Sequence, residues 1–378
     1  MRITDISLTP LALAFRTPYH WAGRVDHGAT VILVRVRTDT GITGIGESTA
    51  GMPAEGTLAA LLGVTPLFIG QSVHDVERLI HRARFLGSFN YTPWYANLVL
   101  AGLEMAIWDA IGMAAGRPVY QLLGGAAHDS VDYFGFPQGD SADELATHAR
   151  ALAEAGHSVI YMKVGRGETI DLRNVAAVRE AIGHRRLRLD ASGAWSVPEA
   201  IHMIRRLAAF EPEWIEQPTA PPGIAALRRV KESVHVPIAA DQSVFTIDDV
   251  YEVCRQRAAD VIVLSPHEAG GLLAFRLAAA AAEAGGIPVC LHGQSVSGIS
   301  DTAQHHAGLT VPNLTTGNQI MHQLLVEDLI QRPRLTLRGG ALAETVVSGA
   351  SGLGIDLDHD AVARAEERYR RDARYHHS

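Results

Sequence analysis

The sequence predicts an α/β protein, an eight-stranded closed barrel of βα units preceded by a small α+β domain. Three observations predict it. From residue 126 onward, short apolar runs alternate with helical stretches of roughly ten to fifteen residues. The runs recur at a pitch of about 25 residues until eight have accumulated, which is the size of a closed barrel. The residues ahead of them carry a different pattern, strict alternation followed by helical spacing.

The elements follow in order. Ile3 to Leu11, Ala29 to Thr38 and Thr43 to Glu47 alternate apolar and polar around a turn at Thr40-Gly41, which predicts a small antiparallel sheet. From Ala54 to Leu123 the spacing is helical, as in Val99, Leu103, Ala106, Ile107 and Ala110, and the run closes at Leu122-Leu123-Gly124-Gly125. Residues 1–125 therefore form the first domain. The eight barrel runs are Ser130 to Phe136, Val159 to Val164, Leu187 to Leu189, Trp214-Ile215, Ile238 to Ala240, Val261 to Leu264, Val289 to Leu291 and Leu314 to Thr316, all within a barrel domain of residues 126–330. Residues 331–378 read as a return segment with a hairpin at Arg338-Gly339-Gly340, packing back on the first domain.

Composition narrows the function classes. A chain of 378 residues, 47% hydrophobic, can bury one large core and a smaller one, as a soluble globular protein does. The net charge of -8 and the absence of a basic stripe argue against a nucleic-acid partner. Cys254 and Cys290 lie in apolar segments and read as reduced core thiols rather than a disulfide. Met1-Arg2-Ile3 leads straight into the first strand with no signal-peptide pattern, so a cytoplasmic location is expected. The apolar stretch Leu272 to Ala284 carries Arg276 and Glu283 and is too short to span a bilayer, so no membrane association is expected.

Three consecutive barrel runs end in an acid: Asp190, Glu216 and Asp241. They are spaced by about one βα pitch, so neighbouring strands aim all three carboxylates at one point on the C-terminal face of the barrel. A lone acid at such a place is more often a helix cap or an ion-pair partner. Three together repel one another unless a cation sits among them, and an all-oxygen site with room for water suits Mg²⁺.

Several segments carry a resemblance. They are Gly41-Ile42-Thr43-Gly44-Ile45-Gly46-Glu47, Ala106-Ile107-Trp108-Asp109, Gly116-Arg117-Pro118 through Gly124-Gly125, Tyr161-Met162-Lys163-Val164-Gly165, Leu189-Asp190-Ala191-Ser192-Gly193-Ala194-Trp195, Glu216-Gln217-Pro218, Ala240-Asp241-Gln242-Ser243 and Gly270-Gly271-Leu272. With them, nearly the whole chain resembles the mandelate racemase and muconate lactonizing enzyme family of the enolase superfamily. The resemblance implies a (β/α)7β TIM-like barrel under an N-terminal α+β capping domain. It implies one Mg²⁺ per subunit, held by Asp190, Glu216 and Asp241, and a small-molecule carboxylate substrate that loses its α-proton to give an enediolate. Enzymes of this kind often form symmetric oligomers, so a homo-oligomer is expected.

The resemblance also assigns roles. Lys163 falls where the family places a base, and His292, at the end of Ile287 to Leu291, resembles the catalytic histidine of mandelate racemase. The family's Lys-x-Lys pattern is broken by Tyr161, which either donates to the substrate or packs. Ser265 stands at the sixth-strand position that holds an Asp partner of the histidine or a second lysine, so a two-lysine mechanism is not expected. His267 and Glu268 are available to assist but read as solvated residues of a βα loop. Gln242, Ser192 and the Gly317-Asn318 region depart from the family pattern as well, which argues against mandelate racemase activity itself.

A base and an acid on opposite sides of a substrate suit dehydration of a hydroxy or sugar acid, the preferred reading of this lyase or isomerase. Racemization, epimerization or cycloisomerization is the alternative, and an inactive metal- and acid-binding protein is the rival from another class. Substrate contacts are expected from His20, Trp21 and Arg24 in a mouth loop spanning Thr17 to His27, from the loop Ser48 to Pro53, and from Ser265 and His267.

Overall fold

The structure is a computed structural model and describes residues 1–21, 24–49 and 53–375. Three strands, β1 (Ile3–Trp21), β2 (Arg24–Thr38) and β3 (Thr43–Thr49), form an antiparallel sheet in that order. Helices α1 (Ala54–Val64), α2 (Val76–Leu86) and α3 (Pro93–Ala115) cover it. Helix α3 begins with proline in its first turn and stops at Gly116 in the left-handed conformation, φ 62°. It is apolar all round because both sides are buried: Val99, Leu103 and Ile107 join the core of the first domain, while Ala101 and Met105 join the barrel core. By length and composition α3 is also the one described helix able to cross a membrane, and its burial marks it as a core helix.

Strand β3 and helix α3 touch through their backbones. A methyl group on Gly44 would lie 1.9 Å from the Ala106 carbonyl oxygen, and one on Gly46 would lie 2.1 Å from that of Gly102. Only glycine permits this approach, which explains the Gly-x-Gly spacing in physical terms.

After the short helix α4 (Val119–Leu122) comes the barrel: β4 (Ser130–Asp132), β5 (Val159–Lys163), β6 (Arg186–Asp190), β7 (Trp214–Glu216), β8 (Ile238–Ala240), β9 (Val261–Leu264) and β10 (Val289–Leu291). Strands β5 to β10 are one parallel sheet in sequence order. Closure is made by parallel bridges: Gly135 with Ile160, Val289 with Leu314, and Tyr133 with Asn318. The eighth run therefore completes the barrel through single bridges rather than a full ladder. A fully buried arginine reinforces that seam. Arg188 on β6 bonds Glu213 at 2.7 Å and the Thr316 carbonyl at 2.5 Å, reaches the Gly317 carbonyl, and stacks 3.6 Å from the Trp214 ring centre.

The outer ring is α5 (Ala142–Glu154), α6 (Glu168–Ile182), α7 (Val197–Leu207), α8 (Ile224–Lys231), α9 (Ile247–Gln256), α10 (Pro266–Ala269), α11 (Leu272–Ala284) and α12 (Gly298–Leu309). Capping boxes at Ser141/Glu144, Ser196/Glu199, Thr246/Asp249 and Ser265/Glu268 start four of these helices. Along the strands Ile160, Met162, Leu187, Leu189, Ile215 and Ile262 pack on the helices. The residues between them, including Tyr161, Lys163, Asp190, Glu216 and Cys290, therefore point inward.

In the C-terminal segment β11 (Ile330–Arg332) pairs with β13 (Asp356–Leu357). Strand β12 (Ala341–Ala343), entered through the turn at Arg338-Gly339-Gly340, pairs antiparallel with β4. Helix α13 (His359–Arg371) lies against β1, with Arg368 donating to the Ala12 carbonyl at 2.7 Å. The segment thus contacts the barrel as well as the first domain.

Gly46→Ala is expected to lower stability by about 2 kcal/mol or more, because the added methyl meets backbone rather than a movable side chain. Gly63→Ala on an exposed, open face of α1 serves as the control and should be neutral or stabilising. Urea melts of the two variants check this.

Candidate active site

Hydrogen-bond register builds the site. Lys163 is the pairing partner of Asp190 across β5 and β6, and Asp190 is the partner of Glu216 across β6 and β7. Asp241 follows β8, and His292 follows β10, anchored by its backbone N–H to the Leu264 carbonyl at 3.0 Å. The three acids lie between Lys163 on one side and His292 on the other. All three are buried, and oxygens of the three lie within 4.8 Å of one another. The chain leaves each strand under constraint: Ser192 and Gln217 adopt positive φ, 46° and 35°, without being glycine. Gln217 uses that turn to accept from the Asp241 and Ser243 backbone N–H groups at 3.1 and 3.2 Å, which fixes the end of β8 against β7.

The electrostatics call for a cation. Asp190 is ion-paired with Lys163 and also accepts from Ser192 N–H at 2.5 Å. Burial raises its pKa, but Lys163 and these hydrogen bonds outweigh it and hold Asp190 below the usual carboxylate range. At Glu216 burial comes first, and with Asp190 and Asp241 it outweighs Lys163 and His292 and pushes the pKa well up. Burial likewise pushes Asp241 up to about 7. Neither oxygen of Asp241 accepts a hydrogen bond, and the nearest cationic group is His292 Nδ1 at 3.4 Å. Two unpartnered oxygens in a buried three-carboxylate cluster fit a hard divalent ion with oxygen ligands.

Tyr161 sits one layer below Lys163, its hydroxyl 2.5 Å from Asp190 Oδ2 and 2.9 Å from Glu216 Oε1. With one proton it donates to one of these carboxylates, so it does more than pack. Phe134 stacks on its ring at 4.3 Å. The lysine amine also donates to Ser192 Oγ at 3.1 Å. Burial pulls the Lys163 pKa down, yet Asp190 and the neighbouring anions more than offset this and raise it.

His292 has the carboxylate partner that Ser265 does not supply. Its Nδ1 lies 2.6 Å from Glu268 Oε1, and both residues are buried. Burial lowers the imidazole pKa, but Asp241 and Glu268 together raise it to about 10. Glu268 is not the solvated loop residue expected from the sequence. Ser265-Pro266-His267-Glu268 is a capping box that starts α10 directly after β9 and folds the glutamate side chain inward. The Ser-x-x-Glu signature was the available signal for it.

Other expected contacts change place. Ser265 is fully buried and its hydroxyl accepts from the Glu268 backbone N–H at 3.2 Å, so it caps a helix and does not line the site. His267 is fully buried and its Nε2 lies 2.8 Å from the Glu47 carbonyl oxygen, joining barrel to first domain rather than meeting a substrate. Thr17 to His27 is not a loop. On both sides of residues 22 and 23, which lie outside the described residues, it is a β-hairpin, with Tyr19 paired to Asp26 and Trp21 to Arg24. Of the loop Ser48 to Pro53, residues 50–52 lie outside the described residues; Ser48 is buried in β3 and bonds the Val99 carbonyl at 2.7 Å. Trp21 donates to Asp26 at 2.6 Å, and the exposed Arg24 lies 5.0 Å over the Trp21 ring and 3.9 Å from Asp26. Both therefore stay at the hairpin tip. His20 is nearer the chemistry: it bonds Asp140 at 2.8 Å and lines a small cavity shared with Lys163, Gln138 and Arg166. Tyr19, beside it, is buried with its ring edge-on to Phe136 at 5.5 Å, a place not assigned from the sequence.

A barrel whose strand ends gather three carboxylates between a lysine and a histidine defines a lyase or isomerase with a cluster that could hold a metal ion. Residues 3–124 match the mandelate racemase / muconate lactonizing enzyme N-terminal domain, and residues 144–361 match the enolase C-terminal domain-like family. The chain belongs to the mandelate racemase and muconate lactonizing enzyme family of the enolase superfamily. It is 31% identical to muconate cycloisomerase 1 of Rhodococcus opacus, covering 96% of this chain and 98% of that protein. It is 29% identical to a probable glucarate dehydratase of Streptomyces coelicolor, covering 98% and 92%. The substrate-liganded L-Ala-D/L-Glu epimerase of Bacillus subtilis superposes with a TM-score of 0.85 at 27% identity, covering 94% and 99%. Members of this superfamily carry out Mg²⁺-dependent proton abstraction from small carboxylate substrates.

The raised acids fix the sign of a pH effect. Asp241 holds its proton up to about pH 7 in the metal-free fold and ionises far lower in the unfolded chain. The stability it contributes is therefore present at low pH and is lost as the pH rises through about 7. A bound divalent ion reverses the loss by taking up the carboxylate charge. Excess Mg²⁺ should raise the melting temperature clearly more at pH 8 than at pH 6, by calorimetry with and without chelator. An increment that is equal at both pH values would contradict this reading of the cluster.

Proposed function

We propose that the protein is a Mg²⁺-dependent dehydratase of a hydroxy acid or sugar acid, with one Mg²⁺ held by Asp190, Glu216 and Asp241. The observation that carries the proposal is the Glu268–His292 pair at 2.6 Å, facing Lys163 across the carboxylate cluster. When bound, the ion would supply positive charge for the substrate carboxylate as its α-proton leaves, without which that proton is very weakly acidic. Lys163, held beside the cluster by Asp190 and Ser192, would take the α-proton at Nζ as the neutral amine. Against burial, the neighbouring anions raise its pKa in the metal-free fold, so the amine first gives up a proton to solvent, which the positive charge of a bound ion would favour. Glu268 occupies Nδ1 of His292 and leaves Nε2 to protonate a departing β-hydroxyl. Tyr161 orients Asp190 and Glu216 from beneath.

The comparisons support proton abstraction next to a carboxylate; the choice of dehydration rests on the single lysine and the carboxylate-bound histidine. With Ser265 buried as a helix cap, no second lysine stands on β9 to serve a two-lysine exchange. The same pair would also support racemization, in which His292 returns the proton to carbon rather than to oxygen.

A library of hydroxy acids and sugar acids, incubated with the protein and Mg²⁺ in D₂O, separates these outcomes by proton NMR and a 2-keto acid assay. Dehydration yields keto acid, whereas racemization yields deuterium at an otherwise intact α-carbon. On the active substrate, Lys163→Ala should cost on the order of 10³-fold in rate. His292→Asn should stop keto acid release while α-proton exchange by Lys163 continues. Full exchange by Lys163→Ala would remove the base from the mechanism.

A further inference from the structure

Asp241 is shared by two groups of ligating side chains. The ends of β6, β7 and β8 bring Asp190, Glu216 and Asp241 together, and the ends of β8, β9 and β10 do the same for Asp241, Glu268 and His292. In each group the ligand atoms, one per residue, lie within 4.8 Å of one another. The second group is as enclosed as the first: Asp241 is 0% exposed, Glu268 1% and His292 8%. Its imidazole makes it chemically different, because the first group offers oxygen alone.

Asp241 itself points to a ligand on this second side. A buried carboxylate ordinarily has donors for its oxygens, yet neither Oδ1 nor Oδ2 of Asp241 has one. Oδ1 lies 3.4 Å from His292 Nδ1. Two atoms that each sit about 2.0 to 2.1 Å from one tetrahedral zinc ion are separated by nearly that distance. Glu268 Oε1, 2.6 Å from the same nitrogen, would need to draw back by less than about 1 Å. Outer partners already orient its carboxylate, the Ser265 N–H at 2.8 Å and Gln294 Nε2 at 2.9 Å, in the way that metal-ligating carboxylates are held.

We propose that Asp241, Glu268 and His292 form a second metal site that takes Zn²⁺ in preference to Mg²⁺, with Asp241 bridging the two ions. Imidazole nitrogen suits zinc, whereas Mg²⁺ keeps to oxygen ligands and demands an octahedral shell. Three protein ligands leave zinc one open position. The ion takes the place of the proton on Nδ1, and that proton passes to solvent. His292 is then a neutral, metal-bound imidazole, which holds its remaining Nε2 proton far more tightly than an imidazolium does. Zinc therefore silences the acid while Lys163 stays in place. The site stands on its own geometry; the silencing rests on His292 being the acid, as proposed above.

The protein is dialysed against Zn²⁺ with Mg²⁺ in large excess, and retained zinc is counted by elemental mass spectrometry. Wild type should retain one Zn²⁺ per subunit, and one equivalent of Co²⁺ in its place should give the intense visible bands of a four-coordinate ion. Glu268→Gln and His292→Asn should each weaken zinc binding by at least about tenfold, whereas Glu216→Gln, which alters only the first group, should keep it. Zinc held at wild-type affinity by His292→Asn overturns the inference. So does a wild type that retains no zinc or gives only the faint bands of six-coordinate Co²⁺, a result that needs no variant to fold. On the substrate found in the D₂O screen, one equivalent of Zn²⁺ should cut keto acid release at least about tenfold and leave α-proton exchange running. Zinc bound at this site with keto acid release undiminished would confirm the site and instead remove His292 as the acid.

Discussion

The in-register pairing of β5, β6 and β7 is the constraint on which the rest of the site depends. Parallel strands in register place residues at the same height, so Lys163, Asp190 and Glu216 cannot avoid one another once the ladder forms. Inward alternation then commits the polar side chains to the barrel mouth, since a slip of one residue would send them into the helix-facing core and its leucines to the site. The register is held from outside the site as well. Gln217 locks the end of β8 to β7, and Arg188 ties β6 to the eighth run where the ladder is thin.

A second set of buried acids holds the first domain to this barrel and to the C-terminal segment. Glu104 on α3 accepts from the Leu272 and Leu273 backbone N–H groups at the start of α11, at 2.8 and 3.1 Å. Glu47 on β3 accepts from Ser297 N–H at 3.0 Å and Ser300 Oγ at 2.9 Å at the start of α12. Asp109 on α3 accepts from Ile45 N–H and Leu353 N–H. Two of the three serve helix N-termini, where exposed N–H groups and the helix dipole favour a carboxylate. Because β3 lies directly on α3 through Gly44 and Gly46, these anchors fix the whole sheet, and the sheet carries the hairpin that ends in Tyr19 and His20.

Much of this was legible in the sequence because it is periodic. The alternation of βα units predicts the barrel, and the pitch between Asp190, Glu216 and Asp241 brings together the acids that the structure gathers. What escaped reading depends on contacts between distant segments. Nothing local distinguishes Tyr19 from any other aromatic residue near a strand end, because its ring partner Phe136 is supplied by the barrel. Arg188 reads as an ordinary charge in a short strand, and only the closed barrel reveals its buried partners. Glu268 is different. Its capping box was written in Ser265-Pro266-His267-Glu268, but four residues of helix squeezed between β9 and α11 resemble a loop when periodicity alone is consulted.

Charge balance gives the substitution at Tyr161 a physical meaning. Asp190, Glu216, Asp241 and Glu268 are four buried acids, set against two basic groups, Lys163 and His292. Fully ionised, that arrangement carries two uncompensated negative charges in a low-dielectric setting, which one divalent ion cancels. Without the ion the fold meets the same demand by holding protons on Glu216 and Asp241, whose pKa values burial has raised. A lysine at residue 161 would add a third positive charge within reach of two of the acids and compete with the ion for them. Tyrosine donates the same kind of hydrogen bond while remaining neutral, since burial and the adjoining carboxylates push its pKa well above the ordinary value. The carboxylates are thus oriented without being neutralised, and Lys163 is left as the sole lysine of the site.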